Sequence, residues 1–170
     1  MVIRTDENNV DEDIVLSDDM YIRRIADGKK LYLDLLLLAD EQESMIDRYL
    51  ERGEMYVLSV SGGKQVAGLA VVTDEGGGVC ELKNIAVSPV FQRRGYGRKL
   101  LDFLCRHYGK RFHTMKVGTG DSVQTTGFYR SCGFGYSYTV EGFFTDNYDR
   151  PIVEEGKVLK DMLYFIRSLQ

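Results

Sequence analysis

Apolar residues in the first third of the chain recur at helical spacing. Leucines crowd the segment from Gly28 to Ala39, which predicts a buried helix. A second helix is predicted from Glu41 to about Arg52, with Asp40 as its N-cap, Glu43 at the capping-box position and Gly53 as its C-cap. One apolar face of this helix is formed by Met45, Ile46, Tyr49 and Leu50. Such a face is typical of a helix that packs on a sheet.

The middle of the chain shows β-strand patterning. Met55 to Val60 and Gln65 to Val72 flank the loop Ser61 to Lys64, and a short glycine-bearing loop between two β-rich runs predicts a hairpin. A third strand, Val79 to Val87, follows the glycine-rich turn Asp74 to Gly78. Three antiparallel strands are therefore expected here.

The second half of the chain alternates helical and strand patterns. Gly95 to Tyr108 has the spacing of an amphipathic helix, and a further helix is predicted from a cap at Asp121 to about Cys132, ended by a left-handed Gly133. Strands are predicted at His113 to Gly118, Phe134 to Val140 and Lys160 to Ile166, and a short first strand within Met1 to Val15. The last strand, Lys160 to Ile166, is expected to offer a sheet edge for pairing. This order predicts an α+β fold in a single domain that covers residues 1–170, with helices flanking a mixed sheet.

The composition argues against several classes of function. The chain has 22 basic and 26 acidic residues and a net charge of −4, without a basic stripe, so a nucleic-acid partner is not expected. The longest strongly apolar run, Leu31 to Ala39, is too short to span a bilayer, so no membrane partner is expected. Asp6 and Glu7 stand where a signal peptide would be basic and apolar. We therefore expect a cytoplasmic protein.

Cysteine usage indicates neither disulfides nor a metal. Cys80, Cys105 and Cys132 are an odd number and form no CxxC pair, so no zinc site is predicted. All three lie in apolar segments, which favours small buried side chains over catalytic thiols.

The segment Gln92-Arg93-Arg94-Gly95-Tyr96-Gly97-Arg98 is the clearest chemical signal. It lies between a predicted strand and a predicted helix. Its glycines let backbone N–H groups approach an anion, the helix N-terminus adds partial positive charge, and the three arginines add more. The segment is interpreted as a pyrophosphate cradle, with an ordinary basic turn as the alternative. Rossmann and Walker spacings are absent from it.

This segment resembles the Q/R-x-x-G-x-G/A signature of the GNAT superfamily of N-acetyltransferases. Leu82 to Pro89 resembles the strand that leads into that signature, and Phe128-Tyr129-Arg130-Ser131-Cys132-Gly133-Phe134 resembles the F-Y-x-x-x-G-F segment of the family. The resemblance extends from about residue 54 to 140. It implies a mixed, mostly antiparallel sheet of about six to seven strands, splayed at its centre, and acetyl-CoA as co-substrate without a metal.

The resemblance also implies roles for individual residues. The backbone of Ile85, Ala86 and Val87 would pair with the pantetheine arm, and Tyr129 would protonate the departing thiolate. The pyrophosphate would be held by the loop, whose residues are Gln92, Arg93, Arg94, Gly95, Tyr96, Gly97 and Arg98. The alternative for Tyr129 is a core aromatic residue beside Phe128.

Glu81 is the candidate general base, because an acidic residue serves this role at a similar position in some family members. A protonated amine must lose a proton before it attacks a thioester. The alternative is a strand carboxylate paired with Lys83, which would share its side of the pleat. The sequence fits both interpretations of Glu81 equally.

The acceptor is less well defined by the sequence. Aromatic and acidic residues between Phe143 and Pro151, followed by Glu154 and Glu155, would suit a cationic amine, although a solvated acidic loop fits equally. Asp47 and Glu51 could also line the acceptor site. We expect direct transfer to a small-molecule primary amine in a ternary complex, by a monomer or homodimer. The alternatives are a protein lysine or N-terminal acetyltransferase and a non-catalytic acyl-CoA sensor.

Overall fold

A computed structural model describes residues 3–4, 13–17 and 19–170 of the chain. Asp6 and Glu7 lie outside these residues. The chain divides into two compact units, one formed by Met1–Thr73 with Asn84–Leu100 and the other by Asp74–Lys83 with Leu101–Gln170. Each unit takes two separate segments of the chain, and two strands and one helix continue from one unit into the other. The single domain expected from the sequence stays a prediction.

The first unit carries an antiparallel run of strands. In order across the sheet they are β1 (Ile3–Arg4), β2 (Asp13–Ser17), β3 (Met20–Ile25), β4 (Glu54–Val60), β5 (Gln65–Asp74) and β6 (Val79–Val87). The pairs from β1 to β5 are all antiparallel. The predicted hairpin between β4 and β5 is confirmed, and left-handed backbone at Ser61, Gly62 and Gly63 makes its turn. The bounds predicted for β6 are confirmed in full.

The second unit continues from β6 with β7 (Thr114–Thr119), β11 (Met162–Ser168) and β8 (Gly135–Val140), in that spatial order. β6 and β7 run parallel, whereas β11 is antiparallel to both of its neighbours. The expectation that the last strand offers a free edge is therefore wrong, because β11 lies between β7 and β8. A separate two-stranded hairpin is formed by β9 (Val153–Glu154) and β10 (Lys157–Val158).

The mixed, mostly antiparallel sheet flanked by helices is confirmed. It has nine strands within the described residues, since three short strands precede β4. The helices are α1 (Leu33–Leu36), α2 (Glu43–Ile46), α3 (Tyr96–Tyr108), α4 (Val123–Ser131) and α5 (Phe143–Asn147). Leu100, Leu101 and Leu104 of α3 are fully buried, which confirms its predicted apolar face.

The two long helices predicted between residues 28 and 52 are wrong. Lys29–Tyr32 is a 3-10 turn, α1 and α2 are single turns, and irregular turns connect them. Asp40 is not the N-cap of α2, because Gln42 takes that position. Asp40 accepts a hydrogen bond from the Tyr49 hydroxyl at 3.1 Å. Glu43 makes no capping box and instead binds the Lys30 ammonium at 2.5 Å. The predicted apolar face nonetheless packs against β4 and β5.

Gly53 serves close packing rather than a helix cap. Its φ is not positive. A Cβ at this position would lie 2.5 Å from Cγ1 of Val71 and 2.9 Å from the carbonyl oxygen of Tyr49. Only glycine fits there without displacing its neighbours.

Of the two caps predicted for α4, the one at its N-terminus is wrong and the one at its C-terminus is confirmed. Ser122, not Asp121, is the N-cap of α4, and its Oγ accepts from the Thr125 amide at 3.2 Å. Asp121 instead pairs with Lys157 at 2.5 Å. The left-handed Gly133 after α4 is confirmed, with φ of 86°.

The irregular segment that carries α1 and α2 is fixed by a buried ammonium. Nζ of Lys29 donates to the carbonyl oxygens of Leu50 at 2.9 Å, Glu51 at 3.1 Å and Gly53 at 2.7 Å. Because the Lys29 side chain is buried, these carbonyls have little access to water. One side chain therefore satisfies three backbone carbonyls at the end of this segment, a position where a helix would leave its carbonyls without an intrahelical partner.

Lys29→Met should lower the free energy of unfolding by on the order of 3 kcal/mol, because it leaves three carbonyl groups without a donor. Urea denaturation followed by circular dichroism measures this change. The matched control is Lys30→Met, which removes the neighbouring exposed ammonium and its ion pairs with Glu43 and Asp47. Exposed ion pairs contribute little to the free energy of unfolding. Equal destabilisation by the two variants would contradict the role assigned to Lys29.

Candidate active site

The loop from β6 to α3 reverses the chain through unusual backbone conformations. Pro89–Phe91 form a 3-10 turn, after which Arg93 has φ of 60° and Gly95 has φ of 82°. A positive φ is uncommon for a non-glycine residue, and such strain is often retained at functional sites. The loop is also tied back to its strand, because Nε2 of Gln92 donates to the carbonyl oxygen of Val87 at 3.0 Å.

The loop ends at the N-terminus of α3. The bond from the Lys99 amide to the Gly95 carbonyl, 3.1 Å long, is the first that closes a helical turn. The amides of Tyr96 and Gly97 therefore precede the hydrogen-bonded helix and carry its partial positive charge. Arg93, Arg94 and Arg98 are exposed around this end of the helix. The arrangement suits a diphosphate-sized anion.

The surface at Gly95 is open. A Cβ built on this glycine would have no atom within 4 Å. Beside it, the Arg94 guanidinium lies 5.8 Å from the centre of the Phe91 ring, which packs edge-on against Tyr96 at 5.9 Å. The aromatic pair supports the loop from one side and leaves Gly95 accessible. The loop residues thus fit the pyrophosphate predicted from the sequence.

The end of β6 is the second part of the site. Its ladder with β7 ends at the pair Leu82 and Val117, so within the described residues Ile85, Ala86 and Val87 have no β7 partner. On β5, a Cβ at Gly68 would lie 2.7 Å from the Ala86 carbonyl oxygen, so glycine permits close packing of the two backbones. Along these three residues, one backbone edge of β6 takes no part in the β6–β7 ladder.

Glu81 lies in a cluster of basic and aromatic side chains in the second unit. Its carboxylate contacts Nζ of Lys83 at 3.0 Å and Nζ of Lys116 at 3.5 Å, and it accepts from the Tyr164 hydroxyl at 3.3 Å. Glu81 itself is 5 % exposed. The contact with Lys83 is the alternative considered from the sequence. Tyr138 completes the cluster by stacking on Tyr164 with ring centres 4.7 Å apart.

The pKa values of Tyr164 and Lys116 in this cluster are both raised. Burial raises the pKa of the Tyr164 phenol well above its usual value, and the neighbouring Glu81 carboxylate raises it further. Burial lowers the pKa of Lys116, but Glu81 and Tyr138 outweigh this effect and leave that pKa raised. Lys116 therefore carries a positive charge at neutral pH, while the Tyr164 phenol stays protonated.

Tyr129 lies near the C-terminal end of α4, in the second unit. Its ring packs against Phe128 at 5.2 Å and Phe134 at 5.9 Å, and its side chain is 6 % exposed. Burial raises its pKa far above the usual value, with smaller contributions from Cys132 and Glu154. The phenol is protonated at neutral pH, as an acid must be, and is also a weaker acid than an exposed tyrosine. No hydrogen bond or ring contact joins it to Glu81 among the described residues.

Two of the carboxylates expected to attract a cationic acceptor, those of Glu155 and Asp47, have other partners. Oε1 and Oε2 of Glu155 each accept at 3.2 Å from an amide in the first turn of α4, those of Gln124 and Val123. Asp47 pairs with Lys30 at 2.5 Å. The aromatic residues of the same loop, Phe143, Phe144 and Tyr148, pack with Ile152, Leu159 and Met162 in a small core. These contacts favour the alternative, a loop with aromatic anchors.

One polar network near the end of β6 was missed by sequence reasoning. Asn84 is 3 % exposed, and its Nδ2 donates to the Leu36 carbonyl at 3.0 Å and to the Tyr49 hydroxyl at 3.1 Å. Its Oδ1 is buried without a hydrogen-bond partner within the described part of the chain. The available signal was an asparagine inside an otherwise apolar stretch of strand.

Two buried thiols and the possible metal ligands of the described residues offer no competing chemistry. Burial raises the pKa of the Cys80 thiol to about 12 and that of Cys105 to about 11, which makes both thiols poor nucleophiles. No group of three or more His, Cys, Asp or Glu side chains that could hold a metal ion occurs in the described residues. Across the same residues, no helix has the length and apolar character needed to cross a membrane.

Residues 51–135 match the acetyltransferase (GNAT) domain family. The chain is 36 % identical over 132 residues to the uncharacterized N-acetyltransferase YvbK of Bacillus subtilis (strain 168), a match that covers 76 % of this chain and 84 % of that protein. The motif resemblance is thereby confirmed.

Two solved structures share the fold at substantial sequence identity. A GNAT family acetyltransferase from Elizabethkingia anophelis, with acetyl-CoA bound, is 33 % identical with a TM-score of 0.81, over 89 % of this chain and 99 % of that chain. A Bacillus subtilis acetyltransferase in complex with CoA is 32 % identical with a TM-score of 0.80, over 88 % of this chain and 98 % of that chain. With the strand, loop and helix described above, these matches show that the chain belongs to the GNAT family of acetyltransferases.

Proposed function

We propose that this acetyl-CoA-dependent acyltransferase moves an acetyl group to a primary amine by direct attack in a ternary complex, with a small molecule as the acceptor. The observation that carries the proposal is the open loop at Gly95, where left-handed backbone leads into the N-terminus of α3. Two similar proteins were solved with acetyl-CoA or CoA. Acetyl-CoA would supply an acyl group activated as a thioester.

The chain would hold this co-substrate through two segments of the first unit. The backbone of Ile85, Ala86 and Val87 offers strand-like hydrogen-bonding groups to the pantetheine arm. The loop amides and the arginines would bind the pyrophosphate, which requires anion-facing N–H groups at a helix N-terminus. A backbone N–H of Ile85 or Val87 would also stabilise negative charge that develops on the thioester oxygen.

Tyr129 is proposed as the acid that delivers a proton to the leaving sulfur. Its burial keeps the phenolic proton in place at neutral pH. The aromatic packing with Phe128 and Phe134 holds the ring in one orientation, which is what a positioned proton donor requires. The alternative, a purely structural core residue, predicts that the hydroxyl has no kinetic role.

Glu81 is the weaker of the two catalytic assignments. As a base it would remove a proton from the acceptor amine, directly or through water. Both of its carboxylate oxygens, however, already contact ammonium groups, and Tyr164 donates to one of them. A carboxylate engaged in this way is less available to accept a proton. The contacts favour its alternative role as the partner of Lys83 and Lys116.

One other function stays open as an alternative. A protein lysine or N-terminal acetyltransferase would acetylate peptides better than small amines. The match to the acetyltransferase family goes against a non-catalytic acyl-CoA sensor, which would bind acetyl-CoA without releasing CoA in the presence of any amine. The cytoplasmic location and the choice between monomer and homodimer stay predictions from the sequence.

Gly95→Glu should abolish binding of acetyl-CoA, because it places a negative charge where the pyrophosphate would lie. Calorimetric titration measures the loss. Gly63→Glu is the matched control, since Gly63 has nearly the same φ, 83°, and similarly open surroundings in the β4–β5 turn. The control should bind as the parent protein does. Retained affinity in Gly95→Glu would show that the loop does not hold the pyrophosphate.

Tyr129→Phe should lower kcat by on the order of 10² while the affinity for acetyl-CoA stays the same, because only a proton donor is removed. CoA release in the presence of an amine panel measures the rate. Tyr136→Phe, which removes an exposed hydroxyl on β8, is the control and should leave kcat unchanged. If Tyr129→Phe turns over at the parent rate, the residue is structural.

A further inference from the structure

The β9–β10 hairpin contacts the beginning of α4 through alternate residues. Leu159 packs on Gly120 so closely that a Cβ on this glycine would overlap the leucine side chain. Lys157 pairs with Asp121, and Glu155 binds amides in the first turn of the helix. A period of two brings side chains to one face of an extended chain. The hairpin is therefore docked against the N-terminus of α4, and both elements belong to the second unit.

Glu155 holds an uncommon backbone conformation in this hairpin. Glu155 and Gly156 form its two-residue turn, with φ of 51° and 74°. A turn of this kind needs positive φ at both positions, which asparagine and glycine adopt more readily than glutamate does. A glutamate at this position indicates that its side chain has a role outside the turn.

The side chain of Glu155 caps α4 from outside the helix. Its Oε2 accepts from the Val123 amide and its Oε1 from the Gln124 amide, each at 3.2 Å. Oγ of Ser122 accepts from the Thr125 amide. Two side chains thus satisfy three amides that have no partner within the helix. The negative charge of Glu155 also interacts favourably with the positive end of the helix dipole.

The composition of α4 makes this cap important. Among its first five residues, Val123 to Gly127, only Gln124 is a good helix former. Tyr129 is the buried residue among the nine residues of the helix. A short helix with low propensity is marginal by itself, and little of this one is buried. The capping contacts at its N-terminus are therefore a main source of its order.

The cap and Tyr129 lie close together on this helix. Tyr129 follows Val123 by fewer than two turns, or about 9 Å along the helix axis. Glu154, which precedes the turn of the hairpin, also influences the tyrosine. Its carboxylate raises the pKa of the Tyr129 phenol, although less than burial and Cys132 do. The hairpin thus acts on α4 both at its start and near the tyrosine.

We infer that Glu155 is a positioning residue, which caps α4 from the β9–β10 hairpin and thereby fixes the Tyr129 hydroxyl for proton transfer. This inference rests on the proposed role of Tyr129 as the acid. In that role the O–H bond of Tyr129 breaks as the S–H bond of CoA forms, and the proton lost by the amine restores the phenol through solvent. Because proton transfer depends steeply on the placement of the donor, the cap affects the chemical step rather than the binding of acetyl-CoA.

Glu155→Asn tests the inference, because asparagine suits the left-handed turn and lacks the longer carboxylate side chain. We expect kcat to fall by about tenfold while the affinity for acetyl-CoA stays the same. CoA release and calorimetry measure the two quantities. Glu155→Gln keeps the length and one acceptor oxygen, so it should retain more of the parent kcat. The control, Lys157→Gln, removes an exposed ion pair of the same hairpin and should keep the parent kcat. Parent kcat in Glu155→Asn would overturn the inference.

A double variant shows whether Glu155 acts through Tyr129. If it does, the variant with both Tyr129→Phe and Glu155→Asn should have the kcat of Tyr129→Phe within about twofold, because the hydroxyl to be positioned is already absent. A residue that only stabilises the fold would lower kcat further. An additional loss equal to that in Glu155→Asn alone would therefore overturn the inference.

A measurement without turnover separates failure of this inference from failure of the proposed function. If no amine is acetylated although acetyl-CoA binds, the transferase proposal fails by itself. NMR of protein whose tyrosines carry ¹³C at the hydroxyl-bearing ring carbon then reports on Tyr129, and the signal missing in Tyr129→Phe identifies it. A shifted or broadened Tyr129 signal in Glu155→Asn, with a parent-like signal in Lys157→Gln, would support the positioning role. An unchanged signal in Glu155→Asn would overturn it.

Discussion

The turn from β6 into α3 is the constraint on which the proposed cofactor site depends. Arg93 and Gly95 must both adopt left-handed backbone for the chain to pass from the strand into the helix, and Gln92 ties the turn back to Val87. This geometry leaves the first amides of α3 ahead of the hydrogen-bonded helix and leaves the surface at Gly95 open. The strain at Arg93 is the cost of holding these donors in a fixed arrangement before any anion arrives.

A second constraint is the early end of the β6–β7 ladder. The two strands pair in parallel only as far as Leu82 and Val117, although β6 continues to Val87. Continuous pairing would use the strand edge that the pantetheine arm is proposed to occupy. The same strand thus carries a paired half, with Glu81 among the lysines, and a half with no β7 partner within the described residues. The two halves of β6 therefore differ in their backbone pairing and not only in their side chains.

Sequence patterns predicted the elements whose signals are local. The apolar run of β6, the amphipathic face of α3 and the glycine turn after β4 each depend on neighbouring residues, and each is confirmed. Where long-range contacts decide, the predictions failed. In the Gly28 to Arg52 region, Lys29 donates to the Leu50 carbonyl more than twenty residues away, and Asn84 of β6 donates to the Leu36 carbonyl. No local pattern predicts these contacts.

The candidate site likewise contains residues that the sequence could identify and residues that it could not. The loop at Gly95 was identifiable because a strand, a glycine pattern and a helix adjoin in sequence. The surroundings of Glu81 could not be identified in this way, because Lys116 and Tyr164 lie on strands far along the chain. The sequence of β11 does not by itself indicate that this strand lies between β7 and β8. Strand periodicity predicted only the contact between Lys83 and Glu81, and this contact is present in the structure.

The β6–α3 loop is proposed to bind the pyrophosphate of acetyl-CoA. Calorimetric titration with acetyl-CoA, free CoA and acetyl-pantetheine, which lacks the pyrophosphate, is the measurement that tests this role. We predict micromolar binding of acetyl-CoA and CoA and a loss of measurable affinity for acetyl-pantetheine. Equal affinity for all three compounds, or no binding of acetyl-CoA, would show that the loop does not bind the pyrophosphate.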